Sequence, residues 1–421
     1  MAKTIEVLAS EYSKRRDFIV KRHLNETEGM LISASSDVLR NGLDNVFPHR
    51  QDSNFYYLTG IREEDAVLLM YKNSSGKSHE MLFVQDKDAM KEKWTGYRLG
   101  AEEASRISGV EDVRPLSAFE GWGASLLNGM SALYVNYNYA RSIGDSAISE
   151  TSCAGRILKS HPHLNIKNAL DVLRVMRTKK SPVEVKFLKE AIKITKAGLY
   201  KAWKRMRPGM REYELRAILE YEFRKSGGDI AFNSIVASGP NGVVLHYVSC
   251  DRVIEDGELV LFDVGAEYGL YSADITRTVP VNGRFSPRQR DIYDLVLKAN
   301  KTTIAEARAG RDLSWLNREV TSKVLSDGLT GLGLIKDSSE LNRYYYHGVS
   351  HHLGLDTHDL SDNHLKGAAV NSVITIEPGI YIKEENIGIR IEDDILIKRE
   401  GSVNLSKSII KEVSDIEHLL N

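Results

Sequence analysis

Short apolar runs bounded by glycine and polar residues fill the first part of the chain. Leu31-Ile32-Ser33 and residues 66–70, 81–84 and 132–135 read as buried strands, while 101–108 and 144–160 carry helical spacing. Strands alternating with helices predict a mostly parallel sheet covered by helices, an α/β domain. A basic, polar stretch follows at 174–182 and contains a helix-start signal. Ser181 supplies a capping hydroxyl, Pro182 a backbone already set for a helix, and Glu184 the reciprocal carboxylate. The boundary is placed here, giving domains 1–172 and 173–421.

The second domain opens with helical patterns over 183–207, stopped by Pro208-Gly209, and 213–226, stopped by Gly227-Gly228. Hairpin-rich sequence runs from 235 to 281, helices return at 287–309 and 313–332, and strands and loops occupy 347–398. Outer helices with inner antiparallel strands make this domain α+β. Two helices followed by a hairpin occur twice. That order predicts a pseudo-twofold pair of half-domains with their hairpins face to face.

Those hairpins hold the candidate chemistry. In the first, strands 259–265 and 271–276 around a turn at 267–270 set Asp263 opposite Asp274. In the second, strands 373–379 and 388–393 around a turn at 383–386 set Glu377 opposite Glu392. Like charges directly opposed destabilise a sheet, and carboxylates are rarely buried unless paired. Two such pairs among β-branched residues point to a cation. Four carboxylates carry four negative charges, which two divalent ions would balance. Four histidines, His347, His351, His352 and His358, stand within twelve residues. No glutamate follows the first of them, so the helical zinc-protease motif is absent. One imidazole among carboxylates suits manganese, cobalt or iron better than a structural zinc site, and magnesium seldom accepts an all-protein cage. Taken singly, Asp263 reads as a strand-end turn residue, Glu392 as a solvated edge and any one histidine as packing or surface. The joint symmetry of the hairpins is what favours the metal reading.

Composition narrows the class. The chain has 421 residues, 42% of them hydrophobic and 27% charged, with a net charge of −1, so it is a two-domain globular protein without a nucleic-acid footprint. Lys14-Arg15-Arg16 reads as a solvated helix face. Only Cys153 and Cys250 are present, which excludes a disulfide framework and a cysteine zinc cluster and suits a reducing compartment. Lys3, Glu6 and Glu11 stand where a signal peptide needs an apolar core, and no run approaches the roughly 20 apolar residues of a membrane span. A cytoplasmic location without a membrane partner is expected.

Residues 259–282, 347–359, Glu377-Pro378-Gly379-Ile380-Tyr381 and 388–394 resemble the pita-bread metallopeptidases, the family of aminopeptidase P and prolidase. Residues 47–60 and 233–247 resemble the same group, so the likeness covers essentially the whole chain. It implies an α/β N-terminal domain and an α+β pita-bread catalytic domain with pseudo-twofold symmetry. It implies two divalent metal ions, Mn(2+) foremost, with Co(2+), Fe(2+) or Zn(2+) as alternatives. Carried over by position, Asp263 would bind one metal through both oxygens, Asp274 and Glu392 would bridge, and His351 and Glu377 would complete the other site. A metal-bridging hydroxide would attack while Glu377 shuttles its proton. His246 and His358 would hydrogen-bond the substrate and the oxyanion, and His347 would share their wall. Arg390 would orient the carboxylates with support from Tyr381, or serve as a plain structural ion pair.

The substrates so implied are peptides with proline second, which lack an amide hydrogen at that bond. An Xaa-Pro aminopeptidase is favoured over a prolidase. In prolidases a longer insertion here supplies the basic residue that recognises a dipeptide carboxylate, whereas residues 382–387 form a short, net acidic link with no obvious home for that arginine loop. The complete ligand set argues against a non-catalytic peptide-binding relative. Asp44 falls where relatives carry an acidic residue near the site. Trp94-Thr95-Gly96-Tyr97-Arg98 resembles a loop that reaches a neighbouring subunit, although packing of Trp94 within its own domain is the simpler expectation. A homodimer or homotetramer is expected.

Overall fold

The computed structural model describes residues 2–34, 48–136, 153–362 and 364–421. The chain divides into two compact units, Met1–Met176 and Arg177–Asn421. No described helix is long and apolar enough to cross a membrane.

The first unit is built on a six-stranded sheet. Its strands lie in the order Val113–Pro115, Ser78–Val84, Val67–Lys72, Glu28–Ser33, Ala132–Val135 and Asn165–Asn168. Three pairings are parallel and two antiparallel, so the sheet is mixed. Val67–Lys72 and Ser78–Val84 are joined by loop 73–77, too short for the crossover a parallel pair needs. Leu68 and Leu69 are both 0% exposed, so both faces are covered.

The opening helix Ala2–Arg22 corrects the reading of Lys14-Arg15-Arg16. Lys14 is solvated, but Arg15 and Arg16 are buried. Arg16 donates to Glu80 and to the Leu58 and Ser108 carbonyls, and Arg15 donates to the Tyr57 carbonyl while stacking over that ring. Arg16 is held inside because Nε and Nη1 meet three acceptors, one of them the Glu80 carboxylate. Trp94 corrects the packing expectation: it is 86% exposed, and Tyr97 is 96% exposed. Asp44 lies outside the described residues.

In the second unit the helix Pro182–Arg205 begins as its signal predicts. Glu184 accepts from the Ser181 amide at 2.9 Å, and Ser181 Oγ accepts from the Glu184 amide at 3.3 Å. The same device recurs at Ser286, Pro287 and Gln289, opening the helix Pro287–Glu306. These helices, with Glu212–Lys225, bury Leu199, Trp203, Leu219, Phe223, Tyr293 and Val296 against the apolar sides of the strands. A second cluster packs Leu316 and Val320 on Ile374, Ile376, Ile395 and Ile397. Helices outside and antiparallel strands inside give the pita-bread form with its two similar halves.

The first hairpin pairs Leu259–Val264 with Ile275–Pro280 and continues through Ala266–Tyr268 and Tyr271–Ser272. Its register differs from the expected one. Asp263 faces Thr276, not Asp274. The turn lies at Gly269 and Leu270, with φ of +60° and +64°, the two central residues of a tight hairpin turn. Moving the turn centre by one residue shifts every partner by two. A shift of two keeps each side chain on its face, so Asp263 and Asp274 remain diagonal neighbours on one surface. Asp274 then lies across from Gly265, where a Cβ would stand 1.9 Å from the Ala273 carbonyl oxygen.

The second hairpin has the expected register. Ile376 pairs with Asp393 and Gly379 with Arg390, so Glu377 and Glu392 lie opposite each other between the two paired stretches. Lys383–Glu385 turns as a short 3-10 helix and Asn386 closes it with φ of +54°. The hairpins meet where the Glu392 amide donates to the Thr276 carbonyl at 3.0 Å.

Candidate metal centre

Five side chains converge where the hairpins meet. Asp274, His351 and Glu392 each place a ligand atom within 4.8 Å of the others. His351 Nε2 lies 3.3 Å from Asp274 and 3.5 Å from Glu377. His351 Nδ1 donates to the His352 carbonyl at 3.0 Å, which leaves Nε2 facing the carboxylates as the nitrogen that would ligate once a cation displaces its proton. Asp263 joins from the neighbouring strand, with Oδ2 accepting from Arg390 at 2.6 Å.

Arg390 organises the floor. Besides Asp263, it donates to Thr276 Oγ1 at 3.1 Å and to the Tyr381 hydroxyl at 2.9 Å. Thr276 passes its own hydrogen to Glu392 at 2.7 Å. Tyr381 donates to His347 Nε2 at 2.8 Å, and His347 Nδ1 donates to the Gly348 carbonyl at 2.8 Å. One guanidinium thus fixes two carboxylates and one imidazole, which is more than a plain ion pair.

Neither threonine in this network was singled out from the sequence. Thr276 lies two residues after Asp274, and Thr375, which donates to Glu377 at 3.2 Å, lies two residues before it. Strand parity puts each on its carboxylate's face, and that signal was available.

Electrostatics mark the floor as strained. Burial pushes the Glu377 carboxyl up to about 7, although the His351 charge opposes this. Burial raises Asp263 to about 6 despite Arg390. Burial and the Asp274 charge hold Glu392 well above the ordinary carboxylate range. Burial works against a charged His351, but Asp274 and Glu377 outweigh it and raise the imidazole to about 9. Burial lowers His347 to about 4.

The donor set fits divalent cations. Four carboxylates share the floor with one guanidinium and one imidazole. Asp263 Oδ1 is buried and accepts no hydrogen bond among the described residues. A buried carboxylate oxygen without a donor is costly unless a cation meets it.

These groups line a cavity of about 620 Å³. His246, His347 and His358 stand on its wall with Phe232, Leu245 and Val248. The His358 ring lies 4.2 Å from that of His351, centroid to centroid. All nine residues singled out from the sequence as site residues line this one cavity. His352 does not line it; burial lowers its pKa to about 4, and its Nδ1 has no partner among the described residues.

Comparison with known proteins agrees with this geometry. Residues 186–399 match metallopeptidase family M24, and residues 12–134 match the N-terminal domain of aminopeptidase P. The Xaa-Pro aminopeptidase of Escherichia coli (strain K12) is 36% identical over 437 residues, spanning 99% of this chain and 98% of that one. The structure of a putative aminopeptidase P from Bacillus anthracis superposes with a TM-score of 0.93 at 38% identity, covering 98% of both chains. A zinc-substituted Escherichia coli aminopeptidase P in complex with product superposes with a TM-score of 0.89 at 35% identity, again over 98% of both chains.

Proposed function

The chain belongs to metallopeptidase family M24, and on that premise we propose that it is an Xaa-Pro aminopeptidase, removing the first residue from peptides whose second residue is proline. The enzyme is a metallopeptidase hydrolase. The observation that carries the finer reading is the gathering of Asp263, Asp274, His351, Glu377 and Glu392 under a wall of three histidines. Those five residues would hold two divalent cations, with Mn(2+) the first choice and Co(2+), Fe(2+) and Zn(2+) the alternatives. When bound, such cations supply a nucleophilic water at neutral pH and polarise a carbonyl.

The chain's own residues do the rest. Glu377 is anchored through Oε1 by Thr375 and would carry the proton at Oε2. His246 and His358 would hydrogen-bond the peptide and its developing oxyanion, with His347 beside them held by Tyr381. Arg390 would keep Asp263 and Glu392 in place, directly and through Thr276. The link between the last two strands of the second hairpin supports a substrate longer than a dipeptide. It is one 3-10 turn, and its Glu385 is paired with Arg288 at 2.6 Å. The exposed Trp94 and Tyr97 support contact with a second copy, as a homodimer or homotetramer. The two widely separated cysteines support a cytoplasmic location.

The test is paired hydrolysis of an Xaa-Pro dipeptide and an Xaa-Pro-Xaa tripeptide with added manganese and a chelator control. Cleavage of the tripeptide, abolished by chelation, is expected. Cleavage of the dipeptide alone would make the protein a prolidase. Cleavage of neither, with metal bound, would remove the Xaa-Pro reading.

A further inference from the structure

We propose that Glu212 is a positioning residue for the wall that carries His246, acting through the hydroxyl of Tyr247. The proposal rests on the functional reading above, in which His246 touches the substrate.

Glu212 is the first residue of its helix and is 0% exposed. A buried carboxylate is expensive unless its oxygens are fully bonded. Here Oε1 accepts from the Ser238 amide at 2.7 Å, from Ser238 Oγ at 2.8 Å and from Asn241 Nδ2 at 3.1 Å. Oε2 accepts from the Tyr247 hydroxyl at 2.8 Å and from the Arg252 amide at 3.1 Å. Five donors from residues 238–252 therefore converge on one side chain.

That segment has little regular structure of its own beyond the 3-10 turn Gly239–Val243. Leu245, His246 and Val248 line the cavity, whereas the Tyr247 hydroxyl lies 2.8 Å from Glu212 Oε2, closer than the 3.0 Å to Asp251 Oδ1, and accepts from the Asp251 amide at 3.3 Å. Among the described residues, nothing hydrogen-bonds the His246 ring, so its place depends on the backbone that carries it. Cys250 has φ of +51°, a left-handed conformation unfavourable for a residue with a side chain. Its neighbours Tyr247 and Arg252 are both tied to Glu212, which holds the chain through this strained point. Arg252 is fixed in turn by Glu258 at 2.6 Å and Ser238 at 2.9 Å. The arrangement makes one carboxylate the common anchor for both ends and the middle of the segment.

The experiment uses the full-length, metal-loaded enzyme. Tyr247→Phe removes one hydroxyl and preserves the ring. It should lower kcat/KM for the tripeptide about tenfold, the scale of a residue that orients a functional group, with bound metal unchanged and the protein still folded, although its unfolding midpoint falls because Glu212 Oε2 loses a donor. In a His246→Ala background the same substitution should cause no further loss. A tenfold loss that persists without His246, or no loss in either background, would overturn the proposal. Glu212→Gln replaces an acceptor by an amide donor facing donors and should reproduce the His246-dependent loss at larger size.

A second readout separates this inference from the functional reading. In the zinc-loaded protein, the His246 ring resonances should broaden or shift in Tyr247→Phe relative to wild type. That result would support the anchor even if wild type fails to cleave the tripeptide. Unchanged resonances would overturn the anchor even if the peptidase reading stands.

Discussion

Glu392 and Asp393 are consecutive, both buried, and electrostatically opposite. Glu392 faces the cavity floor with Asp274 and His351. Asp393 faces the other way, accepting from Arg277 and Ser406 at 2.8 Å each and from Lys411 at 2.5 Å. Burial alone would raise the Asp393 pKa, but Arg277 and Lys411 reverse it and hold it below the usual carboxylate range. Glu392 is pushed the opposite way by burial and by its acidic neighbours. Strand alternation sends adjacent side chains to opposite faces, so a single step along the chain separates a carboxylate the protein neutralises from one that suits an added cation. Buried acidity by itself therefore does not identify a metal site; the identity of the facing partners does.

The largest effect should come from removing a ligand on the cavity side. Asp274→Ala or His351→Ala should reduce tripeptide turnover to background and lower bound metal, as read by elemental analysis. Metal-free Asp274→Ala should be no less stable than metal-free wild type, because it relieves repulsion within the cluster. Full metal content with full activity would end the assignment of that residue.

Asp393→Asn should behave in the contrary manner. It leaves Arg277 and Lys411 facing a neutral group, and breaking a buried pair costs about 3–5 kcal/mol. Denaturant unfolding of the metal-free protein would measure it, with metal binding by the folded variant retained. Loss of metal without loss of stability would mean the two faces are not separate.

Arg390→Lys tests what holds the cavity side in place. A lysine cannot reproduce bonds to Asp263, Thr276 and Tyr381 together, so kcat/KM or metal affinity should fall about 10–100-fold with the fold intact. Equal activity would reduce Arg390 to a structural ion pair.

Asp359 offers the gentlest test, read as a pH dependence. It pairs with Arg177 and Lys180, the latter at 2.8 Å, and their charges overcome burial to hold its pKa below the ordinary range. A depressed carboxylate contributes stability that is complete above its unfolded pKa of about 3.9 and is lost as pH falls through the folded value. Asp359→Asn should therefore be destabilised at pH 7, with a deficit that shrinks below about pH 4. A deficit independent of pH would mean that packing, not charge, is what the residue supplies.

The sequence by itself determined much of this. Two hairpins with apolar β-branched flanks could bury their carboxylates on a common face, and an even register error in the first left that conclusion intact. The helix start at Ser181 was local, because a capping box needs only four residues. What the tertiary structure decided was partnership across distance. Arg277, Lys411 and Asp393 are far apart in the chain, so nothing local distinguishes Asp393 from Glu392 beyond parity. Arg15 and Arg16 read as solvated for the same reason: their acceptors come from residues 57, 58, 80 and 108. Periodicity reports which face a side chain takes, whereas charge compensation depends on what the fold brings to that face.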